Sequence, residues 1–515
     1  MDLSYKPQKR RVIPNWRYYE ATLIAGELNE WRMSRREGET YAIDDYVELW
    51  KKHKSLFRAG DLISAAITNG REDNDVVKDA AKFILDREED ATYSMLSSAR
   101  KLMGVDVLAN TPYSKEAERL RECTATKNIR DYIHNMRLRL QLVPYNPYLY
   151  VDLSRAYLLL GQTAKAREAI EQALHYGATD RFVARSAARF YLHLQDRDRA
   201  YNVIRAKGAV ACDPWLMAAE ISINMLREKT SNYIKKGREI IESGNCSPFG
   251  YTELASSIGT LELSAGANRK SNKLFRKALI DPNDNSLAQV QWVSSFEHLS
   301  LKLDASVNND YEVRTIEAIT KGDADLAIHE AVSWICDMPF AHKPINIGYT
   351  ICTNLLKDFA LASDILDVGL RSDDNNPLLL NNKAYCSARA NDLTTAKETF
   401  EKLKCSSRRN ESQSMKVCIP ATEGLILYRS GQNVEGSNKY KEAINLANEI
   451  TETIEEKDLY KKAVLNYCRE KLIAKDGDPN KIIEEAKNVA IGTENVELKL
   501  LFEEITNEYN KSKNE

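Results

Sequence analysis

The chain has 515 residues, more than the roughly 250–300 at which a single hydrophobic core usually stops growing, so it contains either several domains or a repeat array. Hydrophobic residues make up 43% and charged residues 29% of the chain, and 73 basic residues against 75 acidic ones leave a net charge of −2. This balance disfavours a dedicated nucleic-acid-binding protein, whose affinity comes from neutralising phosphates.

Cysteine usage and hydropathy indicate the compartment. The nine cysteines occur singly and without a CxxC pair, which is typical of reduced thiols in a reducing compartment. The sequence contains neither a run of about 18 apolar residues, which a membrane span requires, nor a signal peptide. We therefore expect a cytoplasmic protein without a membrane partner.

The first 145 residues carry helical patterns but no clear repeat register. Residues 1–40 are predicted to form an N-terminal arm, which is basic near its start. Residues 41–145 are predicted to be a degenerate helical region. Within that region, residues 57–67 have the spacing of a turn followed by a second helix, after a first helix in DDYVELWKKHKSL.

A repeat becomes visible at residues 146–174, which have the pattern of two amphipathic helices separated by a turn. A shift of 34 residues places Tyr157 on Tyr191 and Ala166 on Ala200. Several apolar identities at one fixed offset are hard to obtain by chance. The chain is therefore predicted to be built from repeated helix pairs.

The same period returns further along the chain. Ala362 and Ala396 are again 34 residues apart, and Asn376 with its following proline repeats Asn146 with its own at an offset of 230. The predicted organisation of the remaining chain is a first repeat block over 146–303, a second repeat block over 311–450, and C-terminal capping helices over 451–515. Polar-faced terminal helices protect the apolar end of a repeat array.

These residues resemble the tetratricopeptide repeat family, whose 34-residue unit is a pair of helices with small residues at their crossing. Here a small residue such as Ser154 on a first helix lets Ala166 of its partner helix approach closely. The resemblance implies an all-α fold, a right-handed α-solenoid of tetratricopeptide-like helix pairs, with the degenerate helical region before it and the capping helices after it. It indicates a fold and no particular function.

No set of residues in the sequence nominates a catalytic or metal site. A phosphate-binding loop and a GxSxG motif are both missing, and the seven histidines form no HxxxH pair. The nearest zinc-protease pattern starts at His329, but Ser333 stands where the second histidine belongs. Cys336 is interpreted as a small buried hydrophobic residue rather than a nucleophile. We predict that the chain is not an enzyme and binds no cofactor and no metal ion.

In tetratricopeptide superhelices the first helix of each unit lines the concave side, and this implies candidate positions for binding a partner. The candidates project from first helices in this register: Arg155, Arg185, Arg189, His193, Asn381, Tyr385 and Arg389. Arginine is well suited to bidentate recognition of a carboxylate or phosphate. The alternative interpretation is that these side chains only form a solvated polar face.

Three hypotheses of function follow. The first is a scaffold or adaptor that binds another protein or peptide in the concave groove of the solenoid. The second is a ligand-gated regulator that senses a peptide or small anionic signal and controls an effector, which the arginines at 155 and 189 would favour. The third is a nucleic-acid-binding solenoid, which the charge balance and the lack of a regular base-reading pair in each repeat disfavour.

Overall fold

A computed structural model of the chain describes residues 9–19, 43–68, 70–71, 73–88, 90–104, 113–297, 299, 301, 307–406, 413–450 and 454–514. Regular structure in these ranges is helical, and none of their residues lies in a strand. The predicted all-α fold is therefore confirmed. A 3₁₀ turn at Ala206–Ala211 and a π turn at Ile351–Leu356 interrupt the series of α-helices.

The α-helices in chain order are α1 (Ile43–Lys52), α2 (Leu56–Thr68), α3 (Asp75–Leu85), α4 (Tyr93–Met103), α5 (Ser114–Cys123), α6 (Thr126–Leu142), α7 (Pro147–Leu159), α8 (Thr163–Gly177), α9 (Arg181–His193), α10 (Arg197–Arg205), α11 (Pro214–Leu226), α12 (Ile234–Ser243), α13 (Pro248–Ser264), α14 (Asn268–Ala278), α15 (Asp284–Phe296), α16 (Tyr311–Lys321), α17 (Ala324–Asp337), α18 (His342–Thr350), α19 (Phe359–Ser372), α20 (Pro377–Arg389), α21 (Leu393–Cys405), α22 (Gln413–Arg429), α23 (Asn433–Glu449), α24 (Ile454–Ile473), α25 (Pro479–Ala490) and α26 (Val496–Asn514).

Local sequence signals explain where these helices begin and end. The Asn146 side chain caps α7 by accepting a hydrogen bond at 3.0 Å from the backbone N–H of the second helical residue, and Pro147 occupies the first position. Asn376 and Pro377 begin α20 in the same way. Between α7 and α8, Gly161 has a φ of +70°, a left-handed conformation that favours glycine.

Contacts divide the chain into two compact units. The N-terminal unit comprises Val12–Asp281 together with Cys336–Met338, and it contains helices α1–α14. Helix α7 packs on α8, α9 on α10 and α13 on α14. The first helices α7, α9, α11 and α13 also pack against one another in succession, which is the stacking expected of a repeat array.

The close helix crossing predicted from the repeat is present in the N-terminal unit. Ala166 on α8 and Ala200 on α10 are both 0% exposed. The hydroxyl of Ser154 on α7 donates a hydrogen bond to the Ala166 carbonyl at 2.7 Å, so the two helices touch at this point. The chain's own helix pairs thus confirm the tetratricopeptide-type architecture that the 34-residue period predicts.

The C-terminal unit comprises Pro282–Ile335 and Pro339–Glu515, with residues 9–11 as the described part of the N-terminus. Helix α20 packs on α21, α22 on α23 and α24 on α25. Helices α20, α22, α24 and α26 also pack side by side in that order. This row of helices carries the groove described below.

Some predictions concern segments that the structure describes only in part. Of the predicted arm over 1–40, residues 9–19 are described, and they are not helical. The boundaries predicted at 145, 303, 311 and 450 remain predictions. Within the described ranges no helix is both long enough and apolar enough to cross a membrane.

Candidate functional site

The C-terminal unit contains an open groove along its row of helices. α20, α22, α24 and α26 each contribute residues to it, and the space that they enclose, part of which is open to solvent, is about 870 Å³. Three of the candidate residues line this groove: Asn381, Tyr385 and Arg389. They lie at intervals of four residues on α20, so they form one stripe on the same helix face.

Arg389 is held in the groove by a set of polar and aromatic neighbours. Its Nη2 atom lies 2.5 Å from Glu504 Oε1 on α26, and its Nη1 donates to the Tyr385 hydroxyl oxygen at 2.8 Å. The guanidinium carbon lies 4.2 Å from the centroid of the Phe359 ring. The Lys357 Nζ atom approaches Glu504 Oε2 at 3.8 Å, so two cations share one carboxylate.

A third cation, Arg469 on α24, lies next to this cluster. Its side chain is 0% exposed, its Nε donates to Glu470 at 2.8 Å, and its Nη1 lies 3.9 Å from Glu504. Neither Nη atom has a hydrogen-bond acceptor among the described residues. Burial raises the pKa of the Glu504 carboxyl, but Arg469, Arg389 and Lys357 together outweigh burial and lower it, so Glu504 is ionised at neutral pH.

The groove has a positive potential around the Tyr385 hydroxyl. Burial raises the pKa of Tyr385, but the charges of Arg389 and Arg469 outweigh this effect and lower it below the usual value. Along the same wall, Lys462 on α24 forms an ion pair with Glu497 on α26. The potential near Tyr385 therefore favours an anionic or acidic group in a ligand.

Several buried polar atoms belong to side chains that line the groove. Asn381 Oδ1, Asn466 Oδ1 and Glu504 Oε2 accept no hydrogen bond from any residue that the structure describes. An unsatisfied buried polar atom costs about 1–3 kcal/mol. A ligand that donates hydrogen bonds to these oxygen atoms removes this cost. The N–H groups of a peptide main chain are such donors.

The other candidates lie in the N-terminal unit. Arg155 on α7 is 4% exposed. Its Nε donates to the Trp16 carbonyl at 3.3 Å and its Nη2 to the Asp337 carbonyl at 2.7 Å. Its guanidinium carbon also lies 4.0 Å from the centroid of the Tyr18 ring. In this structure Arg155 therefore binds other parts of its own chain.

The remaining three candidates lie on α9. Arg185 forms an ion pair with Glu253 at 2.8 Å and donates to the Trp215 carbonyl at 3.1 Å. Burial lowers the pKa of Arg189 to about 10. His193 is the half-buried last residue of the helix. The seven candidates are thus divided, with Arg155, Arg185, Arg189 and His193 in one unit and Asn381, Tyr385 and Arg389 in the other.

Sequence reasoning missed the groove residues on α24 and α26. Lys462 and Asn466, which line the groove, and the buried Arg469 follow one another at intervals of four and three residues, so they lie on one helix face. The sequence offered a signal, because polar residues at this spacing interrupt the apolar residues around Val464 and Leu465. The prediction that these helices cap the repeat array assigns no role to polar residues on their inner face.

The described residues provide no group of three or more histidine, cysteine, aspartate or glutamate side chains that could hold a metal ion. The polar residues of the groove also lack the phosphate-binding loop that a nucleotide cofactor commonly uses. The contacts that the structure shows around Arg389 in the groove are hydrogen bonds, ion pairs and aromatic contacts.

Solved structures similar to this chain are repeat proteins of low sequence identity. Yeast Tom70 is 13% identical, with 89% of this chain and 95% of that chain covered and a TM-score of 0.32. The human IFIT1 dimer with PPP-AAAA is 12% identical, with 94% and 96% covered and a TM-score of 0.32. The Cut9–Hcn1 hetero-tetramer of APC/C is 12% identical, with 94% and 99% covered and a TM-score of 0.32.

No family model matches the chain, and no curated protein matches it in sequence. TM-scores of about 0.3 do not establish a shared arrangement of helices. The tetratricopeptide-type fold therefore rests on the helix pairs and the 34-residue period of the chain itself.

Proposed function

We propose that this protein is a non-enzymatic interaction scaffold that binds an extended peptide segment of a partner protein in the groove of its C-terminal unit. The observation that carries the proposal is the set of buried, unsatisfied oxygen atoms on Asn381, Asn466 and Glu504 along an open groove. A peptide in extended conformation presents unpaired N–H groups along its length, so it offers hydrogen-bond donors to these oxygen atoms.

The positive potential around Tyr385 indicates which peptides the groove prefers. Burial alone would raise the pKa of Tyr385, and the arginines at 389 and 469 lower it instead. A peptide with an acidic side chain at this position gains an ion pair that the groove already favours. A cytoplasmic location belongs to the same proposal and is supported by the nine free cysteines.

The test is a selection of random twelve-residue peptides displayed on phage, with the full chain as the target. Affinities of the enriched peptides are then measured by fluorescence anisotropy for wild type and Asn381→Ala. Loss of one hydrogen bond of about 1–1.5 kcal/mol weakens binding roughly fivefold to tenfold. The control is Asn438→Ala, which removes an exposed amide from α23 and should leave affinity unchanged.

Equal affinity of wild type and Asn381→Ala for every enriched peptide would show that the peptides bind elsewhere. Enrichment of no peptide on the wild-type protein would also contradict the proposal. Retained folding of both variants is checked from their far-ultraviolet circular dichroism, so that a binding loss is not mistaken for unfolding.

A second candidate function is the sensing of a small anionic ligand by the same groove. Arg389 and Lys357, which line the groove and share the single carboxylate of Glu504, favour it because such cations also bind a phosphate or carboxylate. Inorganic phosphate and citrate serve as probes in a thermal shift assay. A rise in Tm that follows the ligand concentration, together with displacement of the selected peptides, would favour this candidate over peptide binding.

A further inference from the structure

The non-helical segment of residues 12–19 lies in the N-terminal unit. Val12 is 1% and Trp16 0% exposed, Pro14 between them is also buried, and Ile13 and Asn15 are half-buried. This alternation has a period of two residues, which is the pattern of an extended chain with one face against a surface. The segment belongs to no sheet in the described structure, so the surface that it contacts consists of helices.

Helix α7 recognises the main chain of this segment with two buried charged residues. The backbone N–H of Tyr19 donates to Asp152 Oδ1 at 2.8 Å, and the carbonyl of Trp16 accepts from Arg155 Nε at 3.3 Å. Asp152 is 0% and Arg155 4% exposed. In the recognition of an extended peptide, hydrogen bonds to its main chain supply affinity and contacts to its side chains supply specificity.

Aromatic contacts hold the side chains of the segment. The Tyr19 ring stacks on Tyr148, with ring centroids 4.1 Å apart and an interplanar angle of 11°. The Trp16 ring packs edge-on against Phe190 of α9, at a centroid distance of 6.0 Å. Such aromatic pairs stabilise beyond the burial of the rings, so these contacts favour aromatic residues at both positions.

The residues between the two aromatic anchors are also recognised. Arg17 forms a bidentate pair with Asp337, with Nε–Oδ1 at 2.8 Å and Nη2–Oδ2 at 2.6 Å. The Tyr18 ring lies 4.7 Å from the ring of Tyr132, and Arg155 stacks on it at 4.0 Å. The surface therefore distinguishes an aromatic–arginine–aromatic sequence from other extended segments.

We infer that the face formed by α7 and α9, together with Tyr132 of α6 and Asp337 of α17, is a second peptide-binding surface, specific for an extended segment with the pattern Trp-Arg-Tyr-Tyr. In this structure the chain's own residues 16–19 occupy it. A partner with a similar aromatic–arginine segment binds there by displacing residues 12–19. This inference is independent of the groove proposed above, because none of its contacts involves a residue of that groove.

Because residues 12–19 of the same chain occupy this surface, they compete with any outside peptide that binds there. Residues 20–42 join the segment to α1, so the segment binds intramolecularly, with an effective concentration on the order of mM for linked modules of this kind. An outside peptide therefore binds the wild-type protein much more weakly than it binds a protein whose own segment is impaired. This difference makes the inference testable.

The probe is a fluorescein-labelled synthetic peptide with the sequence of residues 9–19, and the receptor is the full chain with Trp16→Ala and Tyr19→Ala. Fluorescence anisotropy should show saturable binding with a Kd at least tenfold lower than for wild type. The control probe carries Trp16→Ala and Arg17→Ala in the peptide and should bind the receptor variant at least tenfold more weakly. The circular dichroism of the receptor variant should match that of wild type.

The inference is overturned if the folded double variant does not bind the probe, or if wild type binds it equally well. A second receptor variant keeps the test decisive if the double variant does not fold. Arg17→Ala removes the pair with Asp337 from a side chain that is 27% exposed, so folding should persist. It should bind the probe at least threefold more tightly than wild type does, and equal affinity overturns the inference.

Discussion

At the scale of single residues, Glu312 on α16 has a carboxyl pKa that two neighbouring cations lower strongly. It receives two hydrogen bonds from Arg10, at 2.9 and 3.2 Å, and forms an ion pair with Lys343. Arg10 also donates to Asn285 and Gln289 at 2.9 and 3.0 Å. Burial raises the pKa of Glu312, but the two cations outweigh burial and lower it to about 2.

This environment predicts an acid-sensitive contribution to stability. Since the folded pKa of about 2 lies below the ordinary glutamate pKa of 4.5, the contribution is complete above about pH 4.5 and is lost as pH falls toward 2. The difference corresponds to about 3 kcal/mol. Glu312→Gln should therefore lower Tm strongly at pH 7, and the gap to wild type should narrow between pH 4.5 and 2.

The control for this prediction is Glu317→Gln on the same helix. Glu317 is 41% exposed and 3.6 Å from Lys321, so its ion pair contributes little. Differential scanning calorimetry across the pH range measures both variants. A gap between wild type and Glu312→Gln that stays constant from pH 7 to 2 would contradict the assigned role of the carboxylate.

At the scale of helices, the crossing of α22 and α23 depends on two glycines. A Cβ atom at Gly424 would lie 3.1 Å from the Gly436 carbonyl oxygen and 2.7 Å from the Tyr440 ring, and a Cβ at Gly436 would meet Gly424 and Tyr428 at the same distances. Backbone cannot move aside as a flexible side chain does. The two helices therefore approach closely because both positions lack a side chain.

Gly424→Ala is expected to destabilise the protein by about 1–3 kcal/mol through overpacking. The sign of this change in stability is informative, because alanine in an exposed helix position is favoured over glycine by about 1 kcal/mol. Urea unfolding measures the change, and Asn438→Ala on the exposed face of α23 should be close to neutral. A stabilised Gly424→Ala variant would mean that the helices are farther apart than the structure places them.

At the scale of the whole molecule, the helical fold predicts the circular dichroism spectrum. No described residue lies in a strand, and helices make up most of the described ranges. We expect minima near 208 and 222 nm and a fitted helix content well above the roughly one-third of an average globular protein. A fitted strand content near the average of 20–25% would contradict the fold.

The repeat part of this molecule could be predicted because the residues that define each helix pair are close together in the sequence and recur at a fixed spacing. Ala166 and Ala200 mark the helix crossings through a fixed period, and the same register placed Asn381 on the inner face of α20. Contacts between residues far apart in the sequence do not recur at a fixed spacing. Arg155 meets Trp16 across 139 residues, and Arg469 meets Glu504 between helices without a repeat signature. The helix pairs of the repeat were predictable, whereas these partners depend on how the helices stack.

The N-terminal segment also has a consequence for synthesis on the ribosome. Arg17 leaves the ribosome before its partner Asp337, which follows 320 residues later. At about 5–20 residues per second, roughly 15–60 s pass before that partner exists. For about the first half of this time Trp16 and its neighbours have emerged without α7 and α9, and Arg17 lacks Asp337 until the end of it. Chaperones that bind aromatic–basic segments have this interval in which to act on the nascent chain, and the segment becomes inaccessible to them once α7, α9 and Asp337 have formed their contacts.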